Sequence, residues 1–216
     1  MTTGLQRSAM PAADQEQLLR HLAHEIRQPL SGIESIAYYL DMVLGDAEPE
    51  VQQQCERLRR MVQQAHWLLE DASLAMRAAG QPAAPAGLTT ILTCIGGQLA
   101  LHEERNIELT LAPGLPPANV PSGLAYSFCE HLLSFFRLVA QAQDPIQVEL
   151  VGEGQGMRLT VGAEVLADAD ELERVVCPQQ PGSGIGRVVE AAGGRLATVA
   201  AGTRFSLSIF LPAAVE

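Results

Sequence analysis

The sequence has no lysine: all fourteen of its basic residues are arginine. That excludes every lysine nucleophile and every Schiff-base chemistry. The four cysteines, Cys55, Cys94, Cys129 and Cys177, form no C-x-x-C pair. Zinc and dithiol chemistry therefore lack their usual spacing, and reduced, packed thiols are expected. No basic run offsets a formal net charge of −11, which argues against nucleic acid because a phosphate backbone demands a basic face. Aromatic residues make up only 4% of the chain, and no aromatic-basic stretch occurs. Long apolar runs are missing too. The least polar stretch, Ile91–Leu101, is too short and too glycine-broken to span a bilayer. The N-terminus is polar and lacks the charged start and apolar core of a secretory signal, so a cytoplasmic protein without a membrane segment is expected.

What is present divides into two halves. Residues 1–13 read as a disordered N-terminus and 14–80 as a helical hairpin. The Pro/Ala/Gly-rich stretch 81–87 reads as a short semi-rigid linker, and 88–216 as a second domain of mixed periodicity. In the hairpin, Asp14 and Gln17 resemble a capping box. Leu19, Leu22, Ile26, Pro29, Ile33, Ile36, Leu40 and Val43 then recur at alternating three- and four-residue steps. Gly45 and Asp46 mark a turn, after which Val51, Cys55, Leu58, Val62, Ala65, Leu69, Ala72 and Met76 repeat the rhythm up to Gly80. One apolar stripe per helix cannot close a core within a hairpin. Pairing two hairpins into a four-helix bundle buries both stripes, so a homodimer is expected.

His24 lies two residues after Leu22 and two before Ile26, off the stripe and toward solvent. A neutral imidazole there offers a ring-nitrogen lone pair for attack on phosphorus. Glu25 can accept the other ring N–H, fix the tautomer and act as a base. Pro29 removes a helix hydrogen bond and is expected to kink the helix one turn beyond His24. His21 lacks a following Glu and a suitably spaced proline. His66, His102 and His131 have no such setting and read as structural.

The segment His24-Glu25-Ile26-Arg27-Gln28-Pro29-Leu30 resembles the phosphoacceptor box H-E-x-R-x-P-L of bacterial two-component histidine kinases, with every fixed position filled. By that resemblance His24 is the phosphorylated residue, Glu25 the base or hydrogen-bond acceptor, and Arg27 and Pro29 are supporting. The resemblance also implies the fold class: α + α/β, a dimerising helical hairpin followed by a small α/β sandwich of the Bergerat ATPase type. It extends from about Leu18 to Pro212 and is weaker in the middle.

In the second half, a helix over Leu88–Glu104, a strand over Ile107–Leu111, a helix from about Ser122 to Gln141 and strands over Ile146–Val151 and Met157–Val161 are expected. The glycines of Gly152-Glu-Gly-Gln-Gly156 join two strands and so make a hairpin, since a phosphate loop opens a helix. Gly182-Ser-Gly-Ile-Gly186 does lead into a helix. Together with Gly193-Gly194, Gly202-Thr-Arg-Phe205 and a strand ending at Phe210-Leu211-Pro212, it is similar to the end of the kinase catalytic domain. Leu172-Glu173-Arg174-Val175 resembles the segment between that domain's glycine boxes.

The departures from the family pattern are specific. In register with Glu130-His131-Leu132-Leu133-Ser134, the magnesium-holding Asn of the family falls at Phe135, and a phenyl ring cannot ligate a hard cation. Ala163–Ala167 carries neither the adenine-reading Asp nor the glycines of the first glycine box. The lid between Val175 and Gly182 is very short. The loop Gly182, Gly184, Gly186 is then a degenerate nucleotide loop kept as scaffold. No cofactor and no metal are expected on this chain, and magnesium belongs on the partner.

The expected function is phosphotransfer between His24 and the aspartates of response-regulator receiver domains, fed by an upstream hybrid histidine kinase and without ATP. Ser31, Glu34, Ser35 and Tyr38 follow His24 by helical spacing and are candidate docking positions. Two other readings remain: a soluble histidine kinase that phosphorylates His24 from ATP, and a non-catalytic dimeric adaptor that sequesters a response regulator.

Overall fold

The computed structural model describes residues 12–44, 49–102, 106–141, 144–165 and 183–214. They separate into two compact units, one up to Val62 and the other from Gln63 onward.

The first unit holds α1 (Ala12–Leu44) and the first half of α2 (Pro49–Ala78). Helix α1 already runs at Ala12, so Asp14 lies within it and the expected capping-box start is displaced. The last two residues of the expected disordered stretch 1–13 are therefore helical. The helix continues through Pro29. A proline ring leaves the carbonyl four residues earlier, that of Glu25, without a helical donor. The Gly45-Asp46 turn lies outside the described residues. Ala23 and Ala37 are buried on α1, and Cys55 and Val62 on α2. By contrast the bulky stripe Leu22, Ile26, Ile33, Ile36 and Leu40 is exposed, with Ile36 at 61%. Arg59 donates to Asp41 at 2.8 Å and ties α2 to α1.

The second unit is a two-layer α/β sandwich. Strands β2 (Ile107–Leu111), β4 (Ile146–Glu153), β5 (Gly156–Glu164), β7 (Arg204–Pro212) and β6 (Arg195–Ala201) form a sheet in that order. The β2–β4 pair is parallel and the others are antiparallel. Alternation sets the layers: Ile146, Val148 and Leu150, Leu159 and Val161, and Phe205, Leu207, Ile209 and Leu211 are buried, while the residues between them face outward. Against the buried face lie α3 (Leu88–His102), α4 (Ala125–Val139) and α5 (Gly184–Ala191). The expected helix over Ser122–Gln141 is thus shorter at both ends.

Register confirms the glycine hairpin. Glu153 pairs with Gly156, leaving Gly154-Gln155 as a two-residue turn in which Gly154 takes φ +56°, the conformation only glycine adopts cheaply. The stretch expected as a linker is not one. Ala83–Ala86 form β1, paired antiparallel with β3 (Ala118–Pro121). A two-stranded ladder has only edges, so Pro85 is tolerated where its missing N–H is not needed.

The seam expected along the second half of α2 is also shifted. Trp67, Asp71, Leu74 and Ala78 are the buried residues there, whereas Ala65, Leu69, Ala72 and Met76 are half-buried. A charged residue inside that face hid it from an apolar-periodicity reading.

Candidate functional site

Two places carry the expected chemistry, one in each unit. On α1, His24 is exposed, as are Glu25, Gln28 and Pro29. Its immediate predecessor, Ala23, is buried, so the ring projects outward from a helix face whose neighbour is anchored. The amide of Gln28, one turn on, approaches His24 Nε2 at 3.5 Å, a long contact that leaves the ring accessible. Glu25 makes no hydrogen bond to the ring among the described residues, since adjacent helical side chains diverge by about 100°. Arg27 is half-buried. Further along the helix Ser31, Ser35 and Tyr38 are exposed and Glu34 is half-buried. The Ser35 hydroxyl donates back to the Ser31 carbonyl at 2.8 Å. Gln28, to which the sequence pattern gave no role, is the side chain whose amide reaches the imidazole. Its signal was the i, i+4 spacing.

In the second unit, Gly184 and Gly186 open α5, with Ser183 as N-cap accepting from the Gly186 N–H at 3.2 Å. Gly182 lies outside the described residues, as do Leu166 and Ala167 of the first-glycine-box equivalent, the 172–175 segment and the short lid. The Gly184 N–H donates to Asp71 Oδ2 at 2.8 Å. The other carboxylate oxygen lies 2.9 Å from His131 Nε2 on α4. With the carboxylate ionised, Nε2 carries the hydrogen in that bond. Trp67 stacks on the His131 ring with centroids 4.5 Å apart and planes 11° from parallel, and its indole N–H donates to the His131 carbonyl at 3.3 Å. Phe135 is 2% exposed. Its ring meets Trp67, Phe136 and Phe205 at centroid distances of 5.3, 5.4 and 6.1 Å.

No protein-family model matches the chain, and no curated protein sequence matches it. Solved structures do. Full-length ShkA, crystallised in complex with AMPPNP, superposes with a TM-score of 0.53 at 18% identity, over 93% of this chain and 47% of that one. The Acinetobacter baumannii histidine kinase AdeS gives 0.53 at 14% identity, over 88% and 97%. The catalytic domain of the histidine kinase ThkA gives 0.52 at 10%, over 62% and 99%. The chain has the histidine kinase fold. It spans about half the length of ShkA (47%) and nearly all of AdeS.

The resemblance drawn from the sequence implies a nucleotide with its magnesium in this unit. The side chain at the position expected to hold that metal is a phenyl ring packed among three other aromatic rings, whereas magnesium takes oxygen ligands. The α5 amide that a phosphate would use is held by a carboxylate. Among the described residues, no group of three or more His, Cys, Asp or Glu side chains is arranged to hold a metal. Among those residues, too, no helix is long and apolar enough to cross a membrane. Cys55 and Cys129 are packed as expected, but Cys94 is exposed, and Cys177 lies outside the described residues.

Proposed function

We propose that this chain is a two-component signalling protein that relays phosphate between His24 and receiver-domain aspartates without drawing on ATP. The observation that carries the reading is a division of labour. The H-E-x-R-x-P-L histidine is exposed on α1, while the position expected to hold magnesium is sealed in an aromatic cluster.

In the forward step a ring nitrogen of neutral His24 attacks the phosphorus of an aspartyl phosphate on a docked receiver. The N–P bond forms as the acyl P–O bond breaks, and the receiver's aspartate leaves as a carboxylate. The reverse step returns the phosphoryl group to a second receiver. Positioning and charge neutralisation dominate such transfers, and the receiver brings the magnesium. This chain needs only to present the imidazole. Glu25, after a rotamer change, can accept the hydrogen of the other ring nitrogen and stabilise the positive ring of the phosphohistidine. Gln28 can orient the ring through the contact it already makes.

Dimerisation belongs to the same reading. The exposed stripe of α1 borders a groove of about 690 Å³ lined by Ile33, Ile36, Ala37, Leu40, Cys55 and Leu58. Contiguous apolar surface of this kind is costly to leave in water. A second hairpin laid against it would complete a four-helix bundle.

The autokinase reading is equally consistent with the comparisons, since AdeS and ThkA are histidine kinases and the ShkA structure contains AMPPNP. A labelling experiment separates the two. The pure chain is incubated with γ-labelled ATP and magnesium, and separately with a phosphorylated receiver. The relay predicts label only from the receiver, and total loss of that label in His24→Gln. Label from ATP alone would establish the autokinase. A His24→Gln variant that still suppresses receiver output without accepting label would establish the adaptor.

A further inference from the structure

Asp71 is a carboxylate on a helix face that is otherwise Trp67, Leu74 and Ala78, and it is only 5% exposed. Buried carboxylates persist where each oxygen has a donor. Here Oδ1 meets the His131 imidazole of α4 at 2.9 Å and Oδ2 accepts the first amide of α5 at 2.8 Å. One side chain on α2 thereby joins three helices.

Gly184 has no space for a side chain. A Cβ there would lie 2.4 Å from the Asp71 carbonyl oxygen, 2.8 Å from its Oδ1 and 3.0 Å from Leu74 Cβ. Every one of those atoms belongs to α2. The demand for glycine at the head of α5 is therefore imposed by a helix of the same chain. The first-turn amides of a helix are also the groups that a phosphate would engage. At Gly184 that amide already has a charged acceptor.

From this geometry we infer that Asp71 is a latch: the glycine-led start of α5 is a socket for helix α2, and the Asp71 carboxylate keeps it closed to phosphate-bearing ligands. The latch has three contacts that must open together, namely Asp71–Gly184, Asp71–His131 and the Trp67–His131 stack. It rests on Trp67, Asp71, Leu74, His131 and Gly184 and stands whether or not His24 relays phosphate. Trp67, the single tryptophan of the chain, is a built-in reporter of its state.

The test is a double-mutant cycle on the full chain with Asp71→Ala, Gly184→Ala and both, read by Trp67 emission and by hydrogen exchange at the Gly184 amide. Asp71→Ala should red-shift Trp67 and speed exchange at Gly184 by about ten-fold or more, the loss expected for a bond to a charged acceptor. Gly184→Ala should red-shift Trp67 as well, although it lies on another helix, and the double variant should be little worse than the more severe single. Asp71→Asn keeps the volume and one acceptor. It should fold and give an intermediate rise in exchange, so the experiment does not depend on the stability of the alanine variant. Magnesium-AMPPNP added to the unaltered chain should leave the Gly184 amide resonance where it is. Simple additivity of the two alanine effects would overturn the latch. So would unchanged Trp67 emission in Asp71→Asn and Asp71→Ala, or an AMPPNP-dependent shift at Gly184.

Discussion

The hairpin and the α/β unit use apolar residues in opposite ways. On α1, Leu22, Ile26, Ile33, Ile36 and Leu40 are exposed, and so is His24, on which the proposed relay would act. In the α/β unit, Phe128, Phe135, Phe136 and Phe205 are almost fully buried, and Gly184 at the head of α5 is closely packed against α2. Under the proposed relay, the contrast shows how a fold can keep its architecture while its chemistry concentrates in one part. Positions expected to hold a metal and a phosphate would then have been converted to core with the sandwich still complete, because the sheet and its helices need volume filled rather than a ligand bound. A phosphoacceptor histidine could not be converted in that way, since a relay needs it exposed.

The sharpest way to break this comparison is to return an amide to the sealed position. Phe135→Asn removes a ring from a four-ring cluster and buries an amide without partners. A loss of about 4 kcal/mol of stability is expected, at the level of large-to-small core changes. Denaturant unfolding measures it. The same variant should gain no magnesium affinity by calorimetry. A stable Phe135→Asn protein that binds magnesium would mean the pocket was latent rather than filled.

The second test addresses the bare stripe. Ile33→Glu combined with Ile36→Glu places two charges where a partner hairpin is proposed to lie. Both side chains are already exposed in the single chain, so helicity by circular dichroism should change little. Light scattering should move from the mass of two chains to that of one, because desolvating unpaired charges at an interface costs several kcal/mol. An unchanged mass would separate the stripe from assembly.

Much of this organisation was legible from local pattern. Strand Ile107–Leu111 was expected with the ends it has, because two-residue alternation between polar bounds is a strong signal. The glycine hairpin followed from strands on both sides of it, and exposure of His24 followed from its offset from the stripe. Three features were not legible, each for a physical reason. Ala83–Ala86 has the composition of a linker, and only its partner Ala118–Pro121 makes it a strand. The capping box at Asp14 satisfied a local rule, but the helix begins earlier. Asp71 was invisible because a charge on an apolar face reads as a break in the pattern, and its donors, His131 and Gly184, are 60 and 113 residues away. For the candidate site, the motif identified the histidine, while the contact with Gln28 required coordinates.

The smallest effect sets two carboxylate contacts side by side, each with one Asp. Asp41 meets Arg59 at 2.8 Å with side chains 23% and 25% exposed, whereas Asp71 meets His131 at 2.9 Å with both at 7% or less. The distances are nearly equal, so geometry does not distinguish them; solvent does. At Asp41, water competes for the charge and stabilises either partner when the other is lost, so Asp41→Asn should cost no more than about 1 kcal/mol and should weaken further in salt. At Asp71, removing the carboxylate leaves a buried imidazole and a buried amide without their acceptor, a loss of about 3 kcal/mol or more that salt cannot screen. Urea unfolding of Asp41→Asn and Asp71→Ala at low and high ionic strength measures the difference. Equal losses at the two sites would mean that the buried carboxylate is hydrated, and the closed socket at the head of α5 would then be open to solvent.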